Sequence, residues 1–221
     1  MENLGHTANE LVQTVSIYAL PVLFAITLHE AAHGYVARHF GDMTAHAQRR
    51  ISLNPMRHVD VIGTIVVPLI ILVLSGGRFL FGWAKPVPVN YSALRKPRQH
   101  MAWVAAAGPL ANLVMALLWA LLLKLAVMLP PNLFSVALRL MSEAGIVVNL
   151  VFMFLNLLPI LPLDGGRIVA SLLPSRAAWR YAKLEPWGLP LLLLLLVTNV
   201  LNFALEPLLG ASDALIRAIV F

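Results

Sequence analysis

Hydrophobic positions along this chain fall into long unbroken blocks, where a soluble fold would show alternation or a three-to-four spacing. Residues 101–123 and 187–205 are each apolar over a length that crosses a hydrocarbon layer about 30 Å thick. Residues 11–28 and 144–163 are apolar enough to cross with modest help. The first block predicts a helix over roughly 11–38 that ends near Gly41. A polar stretch, HAQRRISLNPMRHVD at 46–60, follows, with Asn54-Pro55 as a turn signal. Residues 61–75 are apolar but short, contain Pro68 and stop at Gly76-Gly77. In FGWAKPVPVNYSALRKPR, at 81–98, the spaced prolines hold the chain extended and forbid a helix. A long helix over 101–129 then turns at Pro130-Pro131-Asn132 into another over about 137–158. That one dissolves in NLLPILPLDGGR at 156–167, where two prolines and two glycines stop it. Residues 168–186 belong at a surface, a last helix spans 187–206, and the tail ASDALIRAIVF is weakly amphipathic.

Composition agrees with a membrane setting. The chain of 221 residues is 60% hydrophobic and 12% charged, about half the charged fraction of a soluble domain. A net charge of +6 raises the question of nucleic acid, but outside three loops no stretch combines basic density with interleaved aromatics. Instead, 13 of 16 lie in the loops 38–60, 76–100 and 162–186, which the positive-inside rule assigns to the cytoplasm. If the loops on both sides of 61–75 are cytoplasmic, that segment cannot be a simple crossing. It is expected to dip in and return, which irregular backbone does only under cover of protein or water. The expected fold is therefore an all-α polytopic membrane protein, a single domain over 1–221 with its core at about 11–175. It has about four full transmembrane helices, a re-entrant or short-strand element between the first and second, and both termini outside. The absence of Cys excludes thiolate metal sites and a Cys nucleophile. No basic n-region precedes the first block, so it reads as a retained helix rather than a signal peptide.

Inside that first block stands LHEAAHG, at 28–34. Residues four apart on a helix lie about 40° apart around the axis and about 6 Å along it. His29 and His33 can therefore share one Zn²⁺, with Glu30 beside them as general base toward an attacking water. Catalytic zinc takes three protein ligands and keeps one position open, so a third ligand must come from elsewhere. Most other acids fall at predicted termini or loops, and Glu143 sits at the far end of its helix. Asp164 alone lies where a helix running the same way as the first one breaks at the same depth. The plain alternative is an interfacial polar cluster. Each ionisable group in lipid costs roughly 2.5–3.5 kcal/mol on insertion scales, and that reading leaves the cost without compensation.

HEAAHG at 29–34, NLLPILPLDGG at 156–166 and GPLAN at 108–112 together resemble the site-2 protease family of intramembrane zinc metalloproteases, over roughly residues 20–175. The second motif matches the family's NxxPxxxLDG throughout. The resemblance implies one Zn²⁺ per chain held by His29, His33 and Asp164, with Glu30 as catalytic acid/base. It resembles the compact bacterial branch carrying GWAKPVPVN, without PDZ or CBS modules, and only ten residues precede the helix that in many members follows another. Asn156 is a candidate oxyanion donor, with a helix-end cap as its ordinary alternative. Gly108 and Asn112 point to close helix packing, or to substrate contact. His39, His46, His58 and His100 read as loop or interface residues. Residues 46–60 and KPVPVN read as exposed strand edges, with plain loops as the alternative.

The expected activity is zinc-dependent hydrolysis of a peptide bond in a transmembrane protein substrate, near the cytoplasmic side of a bacterial plasma membrane. The lipid bilayer is the partner and nucleic acid is not. An inactive scaffold would not need Glu30, and a metal-ion transporter would need several ligand sets along a path.

Overall fold

The computed structural model describes residues 2–67, residue 70 and residues 85–221. Eight α-helices order the described chain: α1 Glu2–His39, α2 Thr44–Ala47, α3 Pro97–Met128, α4 Leu133–Leu157, α5 Asp164–Leu172, α6 Ser175–Ala182, α7 Glu185–Val197 and α8 Val200–Val220. Three of them (α1 from Val12, α3 and α4) are long and apolar enough to cross a membrane. Among the described residues a fourth span exists only if α7 and α8 are counted together, and these are bent by 79°. The single helix expected over 187–206 is thus broken. Asn199 sits between its halves in the left-handed region, at φ 60°, a conformation that Asn tolerates better than other side-chain-bearing residues.

Local chemistry explains the other boundaries. Pro97 opens α3 at a position where its missing N–H loses nothing. Asn132 and Ser135 form a reciprocal capping box at the start of α4, four residues earlier than the hydrophobic pattern suggests. Pro159 follows the end of α4 at Leu157. Residues 46–60 form no strand: α2 covers their start, and Asn54 caps a 3₁₀ turn over Pro55–Arg57 by accepting from the amide of Met56 at 3.0 Å. Among the described residues there is no β-strand at all, and residues 85–90 form neither helix nor strand. Val61–Val66 make one wide π-helical turn, but most of the expected re-entrant element lies outside the described residues.

The packing reverses the soluble pattern. Along α3 the bulky residues Leu110, Val114, Leu118, Leu121 and Leu125 point outward, while Ala105, Gly108, Asn112, Ala116 and Ala120 are buried. With lipid as apolar as leucine, helices gain most from close approach on small faces. Ala25, Ala31 and Ala37 give α1 a similar inner face. Trp119 and Leu123 of α3, Ile146, Leu150 and Met153 of α4, and Ile216 and Val220 of α8 form the main core.

Below the bundle, residues 85–90 lie as a strap across the end of α1. Asp42, fully buried, holds it: one carboxylate oxygen accepts from the Thr44 amide at 2.9 Å and the other from the Asn90 amide at 2.7 Å. Arg50 donates to the carbonyls of Lys85 and Pro86 at 3.1 and 3.2 Å. Asp42→Ala leaves two amides unsatisfied and is expected to destabilise the protein by about 2–4 kcal/mol. The check is a lowered melting temperature in detergent together with faster proteolysis at the strap.

Candidate metal centre

His29 and His33 stand one turn apart on α1, each held from behind through Nδ1. His33 Nδ1 lies 2.7 Å from the carbonyl oxygen of Val104. A carbonyl oxygen only accepts, so this ring carries its proton on Nδ1 and presents a lone pair on Nε2. His29 Nδ1 lies 2.6 Å from Oδ1 of Asn112. The Asn112 amide is oriented by the carbonyl oxygen of Ala25, which its Nδ2 meets at 3.2 Å. Its oxygen must therefore face His29, and the same tautomer follows there.

The two Nε2 atoms are 3.1 Å apart. Oδ2 of Asp164 joins them, 3.1 Å from His29 and 3.3 Å from His33. With both rings neutral, that buried oxygen has no hydrogen-bond donor. Three lone-pair donors crowded together repel, and a cation between them reverses the sign. Tetrahedral ligands bonded at about 2.0–2.1 Å stand roughly 3.3 Å from one another, the spacing seen here. His29, His33 and Asp164 can hold a metal ion, and among the described residues they form the only such cluster.

The helices reach this arrangement through missing side chains. A Cβ on Gly108 would lie 2.5 Å from His29 Cε1 and from His33 Nε2, so only glycine lets α3 pass the imidazoles. Asp164 opens α5, where the positive end of the helix dipole favours its carboxylate. The first turn of α5 is tucked under the end of α4: a Cβ on Gly165 would stand 2.2 Å from the Leu157 carbonyl oxygen, and one on Gly166 2.6 Å from the Leu161 amide. The Leu-Asp-Gly-Gly sequence is thus the tightest way to return a carboxylate to the bundle after a helix break. Ligands from α1 and from just beyond α4 meet because those two helices end on the same side.

Glu30, between the histidines, is half-buried and points to the strap. Its Oε2 accepts from the backbone amide of Val87 at 2.7 Å. Val87 is flanked by Pro86 and Pro88, so it supplies the one N–H in that tripeptide.

Comparison with known proteins agrees with this geometry. Residues 132–198 match the description "Peptidase family M50". The chain is 38% identical over 202 residues to the protein named "Putative zinc metalloprotease YwhC" of Bacillus subtilis (strain 168), covering 90% of this chain and 88% of the relative. The chain belongs to peptidase family M50, the site-2 proteases. Two relatives named "Putative zinc metalloprotease Rip2" are each 29% identical: that of Mycolicibacterium smegmatis covers 81% of this chain and 66% of the relative, and that of Mycobacterium tuberculosis 90% and 76%. No solved structure matches the chain.

Family membership leaves the roles of individual residues to geometry. Asn112, for which substrate contact was one expectation, is wholly buried behind His29 and faces no open space. The close-packing role of Gly108 holds. Asn156 donates to the Phe152 carbonyl at 2.9 Å, inside its own helix. His100 stacks on Phe40 with ring centroids 4.0 Å apart, and His58 meets the Ser52 carbonyl at 2.8 Å. Sequence reasoning missed Val104 and Val87, whose contributions are backbone groups, and Asn149, a lone amide in the apolar run VVNLVF. A polar residue in such a run was the available signal.

Gly108→Ala sets two effects against each other. Helix propensity favours alanine by about 0.5–1 kcal/mol, but the methyl group would overlap both imidazoles. The clash is expected to win, with zinc content of the purified variant falling well below that of the wild type.

Proposed function

We propose that this protein is a zinc-dependent intramembrane endopeptidase that hydrolyses a peptide bond within a transmembrane segment of a membrane-protein substrate. The observation that carries the reading is the meeting of three lone-pair donors, His29 Nε2, His33 Nε2 and Asp164 Oδ2, between membrane-length helices. The relatives' names support zinc as the ion, and the one three-ligand cluster among the described residues fits one ion per chain. Zinc held there supplies Lewis acidity, which polarises a carbonyl and makes water a nucleophile near neutral pH.

The chain's own groups do the rest. His29, His33 and Asp164 would hold the ion. Glu30 takes the proton of the attacking water and passes it to the leaving amine. The Val87 amide fixes one oxygen of that carboxylate, leaving Oε1 to carry the proton. A helical peptide bond is shielded by its neighbours, so the substrate must unwind locally where it passes Glu30 and the strap. The loops beyond the ends of α1 and α4 hold most of the basic residues, which favours a cytoplasmic active site in a bacterial plasma membrane. A single ligand cluster among the described residues favours an enzyme over an ion path.

Glu30→Gln should keep bound zinc and slow cleavage of a model transmembrane substrate by about 10²–10⁴-fold, whereas Asp164→Ala should lose both. Unimpaired cleavage by Glu30→Gln would refute the proposal. Val87→Pro removes the amide donor from a stretch that is already proline-constrained, together with a buried side chain for which Val87→Ala is the control. Loss of a hydrogen bond to a charged group, about 1.5–3 kcal/mol, predicts a drop of about 10–100-fold in turnover with zinc retained, and Val87→Ala should behave as wild type.

A further inference from the structure

Behind His29, two asparagines form a relay between α1, α3 and α4. We propose that Asn149 is a positioning residue for the metal centre, acting through Asn112; the inference rests on the zinc site proposed above. Both side chains are fully buried. The relay begins at the carbonyl oxygen of Gly145, which accepts from Asn149 Nδ2 at 2.8 Å. Because that oxygen can only accept, the Asn149 amide is turned with Oδ1 toward α3. Oδ1 then accepts from Asn112 Nδ2 at 3.0 Å, and Asn112 Oδ1 faces His29 Nδ1. Each amide sets the direction of the next. The end result is a proton on His29 Nδ1 and a lone pair on Nε2, the atom that faces His33 and Asp164.

The NH₂ group of Asn112 has two protons and two acceptors, the carbonyl oxygen of Ala25 and Asn149 Oδ1. Without Asn149 one of those protons is unsatisfied at a fully buried position, and rotation of the amide by half a turn loses much of its penalty. Rotated, Asn112 would donate to His29 Nδ1, drive the ring proton to Nε2 and block the ligand atom. Asn156 makes the same bond to the carbonyl four residues back and, among the described residues, nothing further. Side-chain bonding within the helix is therefore not what distinguishes Asn149; the onward bond to Asn112 is.

The test measures zinc affinity of the full-length protein in detergent, by competition with a chromophoric chelator, alongside thermal melting. Asn149→Leu keeps the branched heavy-atom skeleton and removes both bonds; its zinc affinity should fall by about 10–100-fold, the range for partners behind a metal ligand. Asn149→Asp, neutral when buried, can donate to Gly145 and accept from Asn112, and should bind zinc close to wild type. Asn112→Leu combined with Asn149→Leu should bind no more weakly than Asn112→Leu alone, because the second change acts through the first. Should Asn149→Leu fail to fold, Asn149→Ser, which keeps the Gly145 bond but falls short of Asn112, takes its place with the same expected loss. Wild-type affinity in Asn149→Leu or its replacement, or losses that add in the double variant, would overturn the assignment. If wild-type protein binds no zinc, the metalloprotease reading itself fails, and that result is visible before any variant is compared.

Discussion

The structure is organised around a repulsion that it does not relieve by itself. Two imidazoles whose protons are turned away, and a carboxylate oxygen without a donor, face one another in a medium that screens charge poorly. Any one of these groups could satisfy itself by turning. Val104 and Asn112 prevent this for the rings, and the glycine pair after Asp164 brings the carboxylate back against them. A protein that keeps three acceptors in such a position has built a receptor for positive charge. The surrounding helices then act as clamps: α3 must pass close enough to lend a carbonyl and an amide to α1, and α4 must end at the depth from which Asp164 can return.

Close passage is possible because the bundle's inner faces are small. In water, large apolar side chains would be drawn inside; here many of them stay in lipid, and alanine and glycine occupy the contacts between α1 and α3 beside the site. That exchange brings the backbone itself within reach of functional groups. The Val104 carbonyl, the Ala25 carbonyl and the Val87 amide all act as partners to site residues, and none is available where two layers of leucine keep helices apart.

This explains what could be read in advance. His29, Glu30 and His33 were legible because a helix of known pitch turns their spacing into geometry. Asp164 was legible because prolines and glycines mark where its helix must stop. Backbone partners were not, since every residue carries the same amide and carbonyl and only the fold selects which are used. Asn112 was visible as a polar residue but not its direction, which depends on the Ala25 carbonyl 87 positions away in the chain. The strand expected at 46–60 yielded to the capping preference of Asn54 before Pro55. The break at Asn199 escaped notice because neither glycine nor proline marks it, and asparagine enters the left-handed region only when its context demands it.

That break has a consequence for the lipid. With 13 residues, α7 is about 20 Å long, roughly 10 Å less than the hydrocarbon depth. On this flank the bilayer either thins to match the short helix or meets its exposed end at mid-depth. A break in so apolar a segment leaves roughly a third of the hydrocarbon depth to be made up beyond the 79° bend, by α8 or by the lipid itself.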